Sequence, residues 1–199
     1  MNKNYQSVKT LLELGADPNM QDLYYGQSPL TASANIGING VGADPRFLKL
    51  LLKYGGDPNA EEKGPQKHGR YTPLIVACSG GNLDYVKILV AAGAKINAIT
   101  EYNASPLSEA MYSENPDLVI YLIEKGADYK RVFYKTIPEG ENKYITDNLR
   151  YWRFELGSED YKKKMRIVAF LKKNGMDYRK AKIPEQFVSD YSKEYLDKY

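Results

Sequence analysis

The chain reads as an all-α repeat solenoid: helix-turn-helix units stacked in a row, joined by β-hairpin-like fingers and closed by a C-terminal helical cap. Three observations predict it. One phrase recurs as Leu-Glu-Leu-Gly-Ala-Asp-Pro-Asn (12–19), Leu-Lys-Tyr-Gly-Gly-Asp-Pro-Asn (52–59), Val-Ala-Ala-Gly-Ala-Lys-Ile-Asn (90–97) and Ile-Glu-Lys-Gly-Ala-Asp-Tyr (123–129), with a worn copy at 172–178. A second phrase, Ser/Thr-Pro-Leu, stands at Ser28-Pro29-Leu30, Thr72-Pro73-Leu74 and Ser105-Pro106-Leu107. The step from Gly93 to Gly126, and from Leu74 to Leu107, is 33 residues, a period at which each unit gains a core only by lying against the next.

The elements follow in order. Residues 5–19 form a half repeat, a second helix with apolar Val8, Leu11, Leu12 and Leu14 and no first helix before it. This predicts either a longer parent chain or a self-association surface at this end. Repeats then span 20–59, 60–97 and 98–129. Each first helix starts at Ser28, Thr72 or Ser105, whose hydroxyl suits an N-cap and whose following proline sits where no backbone donor is lost. The second helices start at Asp44-Pro45, Asn82 and Asn115-Pro116 by the same logic. They carry Phe47, Leu48, Leu51 and Leu52, then Val86, Leu89 and Val90, then Val119, Leu122 and Ile123 at helical spacing. Gly15, Gly55, Gly93, Gly126 and Gly175 end helices where a left-handed residue is wanted. Longer steps elsewhere place insertions at 38–43, between the helices of the first full repeat, and at 62–66, in the hairpin of the next. Residues 130–180 form a degenerate fourth repeat, with amphipathic helices over 141–156 (Tyr144, Ile145, Leu149, Trp152, Phe154) and 158–174 (Met165, Ile167, Val168, Phe170, Leu171). Residues 181–199 form a capping helix opened by Pro184 and carrying Phe187, Val188, Tyr191, Tyr195 and Leu196.

These phrases resemble the ankyrin-repeat family, whose signature is Thr-Pro-Leu-His-x-Ala at a 33-residue period, over residues 5–129. The signature histidine is replaced by Thr31, Ile75 and Ser108, so its bonds between repeats are lost or made otherwise. The hairpin glycine appears as Gly26 but as Arg70 and Asn103 elsewhere; arginine tolerates positive φ poorly, which predicts a distorted second finger. The resemblance implies a non-enzymatic protein-binding module that uses its fingers and the exposed side of its first helices to scaffold, sequester or inhibit a protein partner. Counting from the Pro-Leu phrases, the finger positions are Tyr24, Tyr25 and Gln27, then His68 and Tyr71, then Glu101 and Tyr102. The helix positions are Asn35 and Ile36, Ser79 and Gly80, and Tyr112 and Ser113. Five tyrosines fall on this face, and a tyrosine brings a large rigid ring with a polar tip to an interface. The plainer reading is that these rings, among 18 tyrosines, pack on neighbouring fingers.

Other chemistry finds little support. His68 and Cys78 are the sole histidine and cysteine, too far apart in the pattern for a dyad and too few for a zinc site. Cys78 falls at a small core position. Gly37 to Gly42 lacks the Lys-Ser/Thr ending of a phosphate loop, and Asp17-Pro18-Asn19 and Asp57-Pro58-Asn59 lack the oxygen array calcium needs. No cofactor is expected. Net charge is −3 over residues 1–129 and +6 over 130–199. The run Lys162-Lys163-Lys164-Met165-Arg166 makes residues 130–182 an alternative nucleic-acid or lipid surface, with a solvated helix face as the plainer reading. A further alternative is the ankyrin portion of a larger enzyme or effector. No apolar run reaches the ~18 residues of a membrane span, and the polar start does not read as a signal peptide, so the expected compartment is the cytoplasm.

Overall fold

The computed structural model describes residues 3–35, 44–65 and 69–198. Its helices fall into two layers. First helices α2 (Pro29–Ala34), α4 (Pro73–Ser79), α6 (Pro106–Tyr112) and α8 (Ile145–Leu149) pack each on the next; so do second helices α1 (Lys3–Glu13), α3 (Pro45–Lys53), α5 (Leu83–Ala91), α7 (Pro116–Glu124) and α9 (Glu159–Lys173). Each first helix also packs on its own second helix. The core between the layers is continuous, running from Leu12 through Leu48, Leu74, Leu89, Leu107 and Leu122 to Leu171. This is nearest-neighbour stacking, in which a unit's apolar side is covered by the adjoining unit.

Local chemistry sets the helix ends. Ser28 Oγ accepts from Thr31 N at 3.1 Å, Thr72 Oγ1 from Ile75 N at 3.4 Å and Ser105 Oγ from Ser108 N at 3.1 Å. Asp44, Asn82, Asn115 and Ser158 cap the second helices in the same way. At the other end, Gly15, Gly55, Gly93, Gly126 and Gly175 all take φ between +85° and +91°. The amide of the residue after each one bonds back to the carbonyl of Leu11, Leu51, Leu89, Leu122 or Leu171, so five helices close in one Schellman pattern. Thr31 and Ser108, in place of the signature histidine, turn their hydroxyls to the capping Ser28 and Ser105, while Ile75 is fully buried.

Three expectations need correction. The helix expected over 141–156 ends at Leu149; residues 152–155 form neither helix nor strand. From Arg150 to Phe154 burial alternates, with Arg150 and Trp152 buried and Tyr151 and Arg153 exposed, which is a period of two. The expected single capping helix is two, α10 (Glu185–Asp190) and α11 (Lys193–Lys198), divided at Tyr191, which is extended at φ −124°. Ser192 then caps the second piece, accepting from Tyr195 N. In α9, Phe170 lies on the exposed side against Tyr129 at 5.1 Å, while Lys164 points inward. The insertion at 38–43 lies outside the described residues.

Candidate functional site

The fingers set the spacing of the candidate face. The first closes by Asp22 N donating to Gln27 O at 3.0 Å, the second by Glu62 N to Tyr71 O at 3.3 Å, and the third by Thr100 N to Ala104 O at 2.9 Å. Asp22 also accepts from the amides of Tyr24, Tyr25 and Gln27, and the Tyr25 amide foremost holds its carboxyl below the usual range. Gly26, Arg70 and Asn103 share one backbone conformation, at φ +70°, +67° and +67°. The second finger is therefore not distorted at Arg70; its guanidinium is paired with Glu61, Nε to Oε2 at 2.7 Å.

Neighbouring fingers lie backbone on backbone. Within the expected insertion, Lys63 and Gly64 lie against the first finger, with Gly64 N donating to Tyr25 O at 3.1 Å, and a Cβ on Gly26 would sit 2.0 Å from Gly64 N. Glu101 N donates to Gly69 O at 2.9 Å, and the Tyr102 ring covers Gly69 where a side chain would otherwise project. The fourth finger is a two-stranded ribbon, β1 (Tyr134–Lys135) antiparallel to β2 (Asn142–Lys143). Asn103 Nδ2 ties it to the third finger by donating to Phe133 O at 2.8 Å.

Of the expected site residues, Tyr24, Tyr25, Glu101, Tyr102, Asn35, Ser79 and Tyr112 are exposed, and Gln27, Tyr71 and Ser113 are half-buried. Ile36 and His68 lie outside the described residues. The rings of Tyr24 and Tyr25 meet edge to face at 4.6 Å, so part of the plainer packing reading is realised; Tyr102 nonetheless leaves 74% of its surface open. Gln27 Nε2 donates to Glu62 Oε1 at 2.9 Å. On α6, Glu109 is half-buried and hydrogen-bonds with Ser79; burial raises its pKa and the Ser79 bond opposes the rise. Burial, then the nearby Glu109 carboxylate, raises the hydroxyl pKa of Tyr71 and of Tyr112.

Sequence reasoning missed the continuation of this face into the fourth unit. An open cleft of about 270 Å³ lies there. Tyr112 and Glu114 line it from α6 and the turn after it, Tyr134 from the fourth finger, and Asn148, Tyr151 and Trp152 from α8 and the segment that follows it. Trp152 anchors the joint, its indole Nε1 donating to Met111 O at 2.8 Å. Alternating exposure in Arg-Tyr-Trp-Arg-Phe was the available signal, read as helical because its apolar residues also suit a helix face.

The basic run does not make a basic face. Lys162 pairs with Glu159 and Lys163 with Asp117, each at 2.6 Å. Lys164 is fully buried with Nζ donating to Trp152 O at 2.9 Å. Cys78 is buried, and burial pushes its thiol pKa well up. Among the described residues no three His, Cys, Asp or Glu side chains gather to hold a metal ion, and no helix is long and apolar enough to cross a membrane.

Two stacked helical layers with capped starts, Schellman ends and aligned fingers define a repeat solenoid. Residues 38–132 match the family described as ankyrin repeats, in three copies, so that span is built of ankyrin repeats. It is similar to BRCA1-associated RING domain protein 1 of Caenorhabditis elegans, 42% identical over 46% of this chain and 13% of that protein. Alpha-latrocrustotoxin-Lt1a of Latrodectus tredecimguttatus is 35% identical over 41% of this chain and 5% of its own length. A fowlpox virus (strain NVSL) protein named for its ankyrin repeats, FPV014, is 30% identical over 48% of this chain and 19% of its own. The chain thus spans less than a fifth of each of these relatives, and the similarity is that of the repeats, a generic protein-interaction module.

Proposed function

We propose that this chain is a non-enzymatic binding module that scaffolds, sequesters or inhibits a protein partner, in the cytoplasm, through its fingers and first helices. The observation that carries the reading is the placing of Tyr24, Tyr25, Tyr102 and Tyr112, all exposed, on the fingers and the first-helix layer. Exposed rings held by a rigid scaffold are typical anchors of protein interfaces. The test is affinity capture with wild type and with a variant in which Tyr24, Tyr25, Tyr71, Tyr102 and Tyr112 are serine, matched by circular dichroism. Loss of partner recovery supports this face, and equal recovery refutes it.

Two further readings have their own support. That the repeats serve a larger enzyme or effector draws on relatives in which the matched stretch is a small fraction. Self-association through α1 draws on Leu11 and Leu14, 57% and 80% exposed; sedimentation should then depend on concentration and lose that dependence in Leu11→Ser/Leu14→Ser. The nucleic-acid or lipid reading is weakened by the pairing and burial of Lys162, Lys163 and Lys164.

A further inference from the structure

The cleft between α6 and α8 is lined by buried Met111, Trp152 and Asn148 and by the more open Tyr112, Glu114, Tyr134 and Tyr151. Asn148 is 6% exposed, and its Nδ2 makes no hydrogen bond of 3.5 Å or less, its side chain reaching only a longer hydrogen bond to the Tyr112 hydroxyl that opposes the rise in that group's pKa. A buried donor left without an acceptor is unfavourable, and native proteins satisfy nearly all such groups. Tyr112, Tyr134 and Tyr151 line the same cleft, and Glu114 contributes a carboxylate.

Charge narrows the occupant. Glu109, Glu114 and Asp147 all stand near the cleft, since Glu109 acts on Tyr112, Asp147 on Tyr134 and Glu114 lines the wall. The neighbouring cations are already engaged: Lys143 with Glu141, Arg150 over the Tyr178 ring at 3.9 Å, and Lys164 on Trp152 O. Among the described residues neither Glu109 nor Glu114 has a salt-bridge partner within 4.0 Å. An anion would meet unbalanced carboxylates, and a purely apolar side chain would leave the Asn148 donor unmet. A planar cation suits tyrosine faces and carboxylates together, and guanidinium does so better than the strongly hydrated ammonium of lysine.

Resting on the protein-binding reading above, we infer that this cleft is a subsite for an arginine-bearing segment of a partner protein. The guanidinium lies over the tyrosine rings toward Glu114, and a main-chain carbonyl of the same segment accepts from Asn148 Nδ2. Tyr134, Asn148 and Tyr151 of the fourth unit are then specificity determinants beyond the three matched repeats.

The probe is a random twelve-residue peptide display library panned on the full chain, with Trp152, the one tryptophan, as a fluorescence reporter inside the cleft. Enriched peptides are expected to carry arginine, to shift Trp152 emission, and to bind Glu114→Gln, Asn148→Leu and Tyr151→Ser about tenfold or more weakly, roughly the worth of one charge-assisted contact. Tyr151 is exposed, so its variant keeps the test open should Asn148→Leu fail to fold. Enrichment of acidic or wholly apolar peptides overturns the inference, as does arginine-peptide binding unchanged by Glu114→Gln and Tyr151→Ser. If binders depend instead on Tyr24, Tyr25 and Tyr102 alone, the protein-binding reading stands and the cleft falls. An absence of any binder counts against both.

Discussion

Lys164 is a strongly perturbed side chain beside the candidate face. Fully buried, with its Nζ on the Trp152 carbonyl and over the Tyr178 ring, it has a pKa lowered to about 7, by desolvation first and by Arg150 second, with Glu114 opposing. A base whose folded pKa lies below its unfolded value releases its proton on folding. Between about pH 7 and the ordinary lysine value of 10.5 the unfolded chain therefore binds more protons, and stability rises with pH. Below pH 7 both states hold the proton and the penalty is fully present. Lys164→Met should remove this rise, so the variant's advantage over wild type shrinks by up to ~1.4 kcal/mol per pH unit from pH 7 to 9. Urea unfolding of both proteins at pH 6.5, 8 and 9 measures it; parallel stability curves would show that Lys164 is not held neutral. Above about pH 10 the buried Tyr178, raised to about 12, acts in the opposite direction, because the unfolded tyrosine ionises first. Cys78 gives a simpler expectation. With its thiol buried and kept protonated, it should resist a thiol-specific reagent in the native state and react fully in urea, since only an accessible thiolate attacks.

The joints between second helices share a device whose role the repeated phrase does not reveal. Asn19 Nδ2 donates to Gly55 O at 2.9 Å while Asp57 N donates to Asn19 Oδ1 at 2.7 Å. Asn59 repeats both bonds to Gly93 O and from Lys95 N, and Asn97 repeats them to Gly126 O and from Asp128 N. Each asparagine, four residues after its glycine, staples one helix exit to the next. Lys130 stands at that place in the fourth copy, and the ladder stops there. Asn59→Ala removes two bonds at a partly solvated site and should lower stability by ~1–2 kcal/mol, read from the urea midpoint. A loss below about 0.3 kcal/mol would mean that water replaces the staple without penalty. The fingers are held as closely: Gly26→Ala should detach Lys63 and Gly64 from the first finger, because a Cβ at 2.0 Å from Gly64 N forces the backbones apart. Protease sensitivity of that segment reports it.

Across the molecule, cohesion passes only between neighbours, so protection should follow position in the stack. The α4 and α6 helices lie between partners on both sides, whereas among the described elements α1 packs chiefly on α3, with Leu14 open to solvent. Native-state hydrogen exchange should therefore be slowest in α4, α5 and α6 and fastest in α1, as a quasi-one-dimensional array predicts. Uniform protection from α1 to α9 would instead indicate a single cooperative globule. The fourth unit keeps its place by different means, the Trp152 indole on Met111 O and the Lys163 pair with Asp117.

The repeating skeleton could be read from composition and spacing alone because its signals are local. A capping hydroxyl, a proline at the first turn and a glycine at the helix exit act within a few residues of where they stand, so Ser28, Thr72, Ser105 and the five glycines announced the helix ends before any packing was known. The tyrosine positions on the fingers followed from counting within that skeleton. The direction of Lys164, the short α8 and the cleft around Asn148 did not follow, because the lysine run and the Arg150 to Phe154 segment suit either a solvated face or a buried one. Which they take depends on partners dozens of residues away, Met111 O for the Trp152 indole and the Trp152 carbonyl for Lys164, and those contacts exist only once the units are stacked.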